Sequence, residues 1–151
     1  MIGNMGYERR LQALERRARE IGYGVPGLWS AWTPVLDQGG VVTATISHAR
    51  FERTLNRVTA SFILTATGAG TPGNRVVVTG LPASFPTLSL SIGSFTVLDA
   101  GTVWYAGSIF SISGPGVEFY VSGNASQLGY SPAYTIAAGD VISGTVVYET
   151  A

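Results

Sequence analysis

Four carboxylates in the second half of the chain, Asp99, Glu118, Asp140 and Glu149, have the side-chain type for acid–base chemistry. Two of them converging across β-structure would suit glycoside hydrolysis. Their local contexts point elsewhere. Asp99 precedes Ala100-Gly101 and Asp140 follows Gly139, positions where a short carboxylate accepts hydrogen bonds from nearby backbone and shapes a turn. His48 is the single histidine, and a Ser-His-Asp triad around it would have to draw on serines and acids that nothing in the pattern selects. It reads as a polar residue on a sheet face. One histidine and no cysteine also leave a transition-metal site short of ligands. The expectation is a chain with no catalytic residues, no cofactor and no metal, and therefore not an enzyme.

Aromatic residues make the stronger case for binding. Trp29, Trp32, Trp104, Tyr105, Tyr120, Tyr130 and Tyr134 could offer ring faces to the CH face of a sugar, although core packing accounts for most of them equally well. Tyr130 and Tyr134 lie in or just after a polar loop, Ser122–Pro132, that also holds Ser126 and Gln127. A ligand loop of Asn124, Gln127, Tyr130 and Tyr134 is the expected binding feature, with sugar hydroxyls on the two amides.

What positions such a loop begins with the N-terminal stretch. Tyr7, Leu11, Leu14, Ala18 and Ile21 recur at intervals of four, three, four and three, a heptad seam. With Leu11 and Ala18 at a and Tyr7, Leu14 and Ile21 at d, Arg10 and Arg17 fall at g and Glu8 and Glu15 at e. Arg10 and Glu15 then have the spacing of an ion pair between parallel neighbours. Asn4 is a candidate cap, Glu8 sits toward the positive end of the dipole, and Arg16, Arg17 and Arg19 favour the negative end before Gly22. Such a helix is only about 25 Å long, and isolated helices of that length are marginal in water. It needs a partner, either its own domain or parallel copies of itself. The Gly/Pro-rich segment with Gly22, Gly24, Pro26 and Gly27 favours copies, because it detaches the helix from the rest of the chain.

The chain of 151 residues has room for the helix and one β domain, and a chain of this size buries roughly 68–70% of its unfolded surface. Met1 to Arg10 shows no charged segment followed by an apolar run, so no secretory signal is expected. The net charge is zero but uneven: residues 1–57 hold eight arginines against five acids, for +3, and residues 58–151 hold Arg75 against the four carboxylates above, for −3. The arginines lie mostly on the helix, where they serve the seam and the dipole, so a nucleic-acid partner is not expected. Val76 to Leu98 carries no charge, but Gly80, Pro82, Pro86 and Gly93 interrupt it, and no membrane insertion is expected. With 46% apolar and 12% charged residues, part of the neutral surface is expected to be buried against other copies or another protein.

From residue 28 onward the pattern is β. Leu28–Leu36 reads as a short extended run with an edge proline, Asp37-Gln38-Gly39-Gly40 as a turn, and Val41–Ser47 with Arg50–Thr54 as one continued or restarted strand. Thr54-Leu55-Asn56-Arg57 reads as a hairpin tip. From Val58 the alternation is clean, with Val58, Ala60, Phe62 and Leu64 on one face and Thr59, Ser61, Ile63 and Thr65 on the other. Further strands are expected at Arg75–Thr79, Thr87–Ile92, Phe95–Leu98, Val103–Ile112, Val117–Val121, Tyr134–Ile136 and Val141–Glu149. About eight or nine short strands with no second helix predict an antiparallel β-sandwich or jelly roll, with a barrel as the alternative. The domains are then 1–21 (helix), 22–27 (linker) and 28–151 (β head).

Trp32-Thr33-Pro34-Val35-Leu36 followed by Gly39-Gly40 is joined by Ala49-Arg50-Phe51-Glu52-Arg53, a turn, and Asn56-Arg57-Val58-Thr59-Ala60-Ser61-Phe62. This arrangement resembles the β-domain start of many small virion proteins of tailed bacteriophages, which often read W-T-P-x-L and then Y-x-R-x-G-N-x-V-x-V-x-F. Val78-Thr79-Gly80-Leu81-Pro82 and the run Gly139 to Glu149 are similar to the same group, so the resemblance covers roughly residues 29–149. Leu55 stands where that family commonly has glycine. The resemblance implies a non-enzymatic virion protein, assembled in the host cytoplasm, often a trimer with an N-terminal helix leading to a β head. A tail fibre, minor tail or adhesion module touching a host-surface glycan is the leading expectation. A capsid decoration protein is the related alternative, and a sugar-binding module or glycan-active enzyme is the alternative of another class. Its partners would be its own copies and other virion proteins.

Overall fold

A computed structural model describes residues 4–20, 28–84, 90–112, 116–124 and 126–150. Among the described residues one helix, α1 (Asn4–Glu20), precedes ten strands: β1 (Ser30–Ala31), β2 (Val35–Asp37), β3 (Val41–Val42), β4 (Ala44–Thr54), β5 (Arg57–Ala66), β6 (Val77–Thr79), β7 (Ser91–Asp99), β8 (Val103–Ile112), β9 (Gly116–Val121) and β10 (Val141–Glu149). Asn4, expected as the cap, is the first helical residue, and the first turn holds no acid.

The alternation read from Val58 onward is what β5 does. Val58, Ala60, Phe62, Leu64 and Ala66 are buried, while Thr59, Ser61, Ile63 and Thr65 face outward. Two-residue periodicity places every second side chain on the core face, so one buried strand sets the register of its neighbours. β4 pairs with β5 from Ala44↔Ala66 to Thr54↔Arg57, closing a hairpin over Leu55-Asn56, and Leu55 adopts a left-handed φ of 56°. On its other side β5 pairs with β10, and β10 pairs with β7. In the row Phe62↔Gly144↔Phe95, a Cβ on Gly144 would stand 2.7 Å from the Phe62 ring, so a glycine there lets the phenyl lie across the strand. Trp32 meets Phe62 edge-on at 6.1 Å, and Phe95 meets Phe119 at 4.9 Å.

All ten strands belong to one antiparallel sheet, in the order β1-β4-β5-β10-β7-β8-β9-β6-β2-β3. The expected mainly β, antiparallel head behind one helix is what forms, but not as two independent stacked sheets. Chain connectivity explains the difference. β3, at one edge, is joined by Thr43 alone to β4, next to the other edge, and residues 32–34 join β1 to β2 across the same gap. One residue spans at most about 3.6 Å, so the two edges must lie side by side and the sheet must curl strongly into a half-barrel. The Thr43 carbonyl accepts from the amides of Thr67 and Gly68 at 2.8 and 3.1 Å, fixing the corner. One continuous core fills the curl, including Leu36 and Val42 from one end and Val58 from the other.

Two strand expectations change. The separate runs at Thr87–Ile92 and Phe95–Leu98 are one strand from Ser91, with residues 85–89 outside the described set. Tyr134–Ile136 is extended but joins no strand. The side chain of Gln38, fully buried, takes the place of a neighbouring strand there: its Nε2 donates to the Tyr134 carbonyl at 2.7 Å and to the Asn74 carbonyl at 3.0 Å, and its Oε1 accepts from the Ile136 amide at 2.8 Å.

Candidate functional site

Along α1 every described side chain, from Gly6 to Arg17, is exposed. The head does not cover the seam: Tyr7 and Leu14 are 67% and 66% exposed and Leu11 is 46% exposed. Arg10 and Glu15 are likewise exposed beside it. Ile21 and the Gly/Pro segment lie outside the described residues, as does the side chain of Ala18. Each seam leucine retains roughly 1.5–3 kcal/mol of burial free energy to be gained from a partner.

The loop expected to bind a ligand is divided by the fold. Tyr134 is not at the surface: it is 4% exposed, its ring packs on Tyr105 at 5.5 Å, and its hydroxyl donates to Asp140 Oδ2 at 2.6 Å. Burial first, and then the hydrogen bond and charge of Asp140, hold its phenol well above the usual tyrosine range. A sugar cannot stack on it. Gln127 is also occupied, since its Nε2 donates to the Tyr120 hydroxyl at 2.9 Å. That hydroxyl donates in turn to Glu118 Oε1 at 3.3 Å, and burial together with the Glu118 charge raises the Tyr120 pKa. Asn124 and Tyr130 remain exposed. The segment expected to bind also serves the fold: Leu128 is fully buried, its amide donates to the Phe119 carbonyl at 2.8 Å and its carbonyl accepts from the Val76 amide at 2.9 Å. Ser126–Tyr134 is largely a structural strap, and the four residues do not form one site.

Two of the carboxylates considered for catalysis, Asp140 and Glu118, are engaged locally. Asp140 is fully buried; its Oδ1 accepts from the Ala100 amide at 2.8 Å, and its Oδ2 accepts from the Ala137 amide at 2.8 Å as well as from Tyr134. This is the turn-forming role its sequence context indicated. Glu118 forms an ion pair with Arg75 Nη1 at 2.8 Å. His48, at an irregularity in the β4–β5 pairing, shares a hydrogen bond with the Ser61 hydroxyl at 2.9 Å on the outer sheet face. Among the described residues no group of three or more His, Cys, Asp or Glu side chains could hold a metal ion. No helix among them is long and apolar enough to cross a membrane.

Residue-type reasoning missed Gln38, which reads as one polar member of a turn. A buried glutamine with all three of its bonds made to backbone organises the face that carries residues 134–136. Comparison with protein-family models, with curated proteins and with solved structures found no match for the chain.

Proposed function

We propose that the chain is a non-enzymatic structural protein that assembles as a trimer through parallel α1 helices and displays its β head. Of the readings open to such a molecule, a tail-fibre, minor tail or adhesion module of a tailed-phage virion fits best. The carrying observation is the exposed seam of Tyr7, Leu11 and Leu14 on a helix that the head leaves uncovered. A helix of 17 residues is marginal alone, and its apolar stripe gains stability by meeting copies of itself, with Arg10 and Glu15 flanking the contact. The resemblance of residues 29–149 to small phage virion proteins supplies the biological setting. The local engagement of Asp140 and Glu118 is in keeping with a structural role.

Sedimentation equilibrium or native mass measurement of the full chain tests the assembly. Three copies per particle are expected, and a monomer at micromolar concentration overturns the reading. Leu14→Asp would place three unpaired carboxylates in one apolar layer and is expected to give monomers with a folded head. An unchanged mass would show that the helix packs elsewhere. In virions, deletion of residues 1–21 is expected to abolish incorporation while the head still folds. Incorporation at normal copy number would instead make the head the docking surface.

A further inference from the structure

We propose that the outer face of the central strands is a binding trough for a neutral oligosaccharide, reached by Ser122 but built apart from Asn124, Gln127, Tyr130 and Tyr134. A depression of about 660 Å³ crosses β4, β5, β10, β7 and β8 on the side away from the core, within the usual size of small-ligand clefts. Pairing registers place Ser61, Thr145, Ser94 and Ser108 side by side on four successive strands. At about 4.8 Å per strand this row of hydroxyls spans roughly 14 Å. In the next row Ser143 and Thr96 share a hydrogen bond of 2.7 Å, and His48 bonds Ser61, so part of the floor is held in fixed orientation.

Central strands gain stability from β-branched and aromatic pairs on each face. The middle of this face carries few large apolar groups: Ile63 is the one large aliphatic side chain on it, and Ser61, Ser94, Ser108, Ser143, Thr96 and Thr145 supply hydroxyls around it. Larger groups stand at its margins. Along β8 the outward residues are Trp104, Ala106, Ser108 and Phe110, an aromatic at each end of two small ones. Trp104 is 66% exposed, and Phe110 lies against Tyr120 with ring centroids 4.7 Å apart.

The chemistry of the lining selects the occupant. No Asp, Glu, Lys or Arg lines the trough and His48 is its one imidazole, so it lacks the clustered cations that phosphate, nucleic acid or an acidic polymer needs. A second protein is a poor match, because interface cores are depleted in Ser and Ala and enriched in Tyr, Trp, Met and Arg. A neutral sugar chain presents donors and acceptors in register with the hydroxyl row, and CH faces that pack on Trp104. Strands of a single curled sheet hold such a row with little freedom to lose on binding. The proposal adds a ligand class to the adhesion reading and rests on that reading for the source of the sugar. Its test uses the isolated full chain, so its failure is separable from a failure of assembly or incorporation.

The experiment is a titration of the isotope-labelled full chain with maltotetraose, cellotetraose, chitotetraose and mannotetraose to about 10 mM, a ceiling set for weak single-site binding. Amide shifts are read at residues 61, 94, 108, 143 and 145. At least one sugar is expected to give saturable shifts confined to these residues. Trp104→Ala should then weaken binding about tenfold with melting unchanged, as for loss of one stacked ring. Ser143→Trp, which fills the trough, should abolish binding, and Tyr130→Ala should leave it unaltered. The proposal is overturned if none of the four sugars gives saturable shifts, or if shifts map to residues 126–130. It is also overturned if the trough amides change on dilution of the protein alone, which would mark a contact between copies.

Discussion

Leu14 on α1 is 66% exposed, whereas Phe62 on β5 is 1% exposed, and the same contrast holds across the two regions that carry them. The head packs one continuous apolar core, although Trp104, Val41 and others stay exposed on its surface, and it accounts for its buried polar groups internally; among the described residues no buried side-chain nitrogen or oxygen lacks a partner. The helix presents a regular apolar stripe to solvent. A region whose contacts are complete within one chain has a stability set by that chain, while a region whose contacts are incomplete has one set by concentration. The two halves should therefore respond to different perturbations.

The sharpest way to break the contrast is to open the head from inside. Asp140→Ala removes the acceptor for Tyr134 and for the amides of Ala100 and Ala137, leaving one buried hydroxyl and two partly buried amides unpaired. A loss of about 3–5 kcal/mol is expected, enough to unfold a marginal domain. Denaturant melts should show it; a midpoint within the error of the parent would mean that water repairs the turn. A milder opening is Tyr134→Phe, expected to cost about 1–2 kcal/mol at neutral pH, since the ring stays packed and only the hydrogen bond goes. Because the folded state holds the Tyr134 phenol above its ordinary range, unfolding lets it ionise more easily. Its contribution is complete below about pH 10 and falls as pH rises beyond that value. The substitution should flatten the alkaline limb of the stability curve, and Tyr148, also raised chiefly by burial, should supply the residual slope.

Dilution sharpens the contrast without any mutation. Each tenfold dilution is expected to remove on the order of 1 kcal/mol per helix from a trimeric seam and nothing from the head. Far-ultraviolet helix signal and tryptophan fluorescence followed over the same dilution series would separate the two. A head transition that moved with the helix would mean that the heads also share an interface. The smallest expected effect is at the hairpin tip, where Leu55 carries a left-handed backbone and is exposed. Leu55→Gly should raise head stability by about 1 kcal/mol or less, read as a small upward shift in melting temperature.

Much of this fold is legible along the chain, and the reasons differ by residue. β5 is legible because alternate burial over ten residues leaves a two-residue period that few other environments impose. The seam from Tyr7 to Leu14 is legible for the corresponding reason on a helix. Tyr134 is not, because an aromatic near a polar loop looks the same whether its hydroxyl meets water or a buried carboxylate. Its partner Asp140 is only six residues away, but residue types alone do not show that the intervening turn aims one at the other. Gln38 is harder still, since its meaning depends on residues 36 to 98 positions further on. The sandwich expectation fails on connectivity: spacing shows that there are many short strands but not that Thr43 breaks the Val41–Ser47 run and makes β3 and β4 neighbours around a corner. The outer serines were visible as the polar half of an alternation. Their alignment across four strands is a property of register, which no single strand reveals.

β10 lies in the middle of the sheet, between β5 and β7, although it comes after every other strand in the chain. During synthesis the partners on either side emerge well before it and have no shared neighbour to hold them together. The core face of β5 with Phe62 and Leu64, and that of β7 with Phe95 and Val97, stay open to other chains throughout that interval. A nascent chain stalled before Val141 would present two unprotected apolar strand edges at once. Until β10 docks, these two edges are the places on the sheet most open to unwanted pairing.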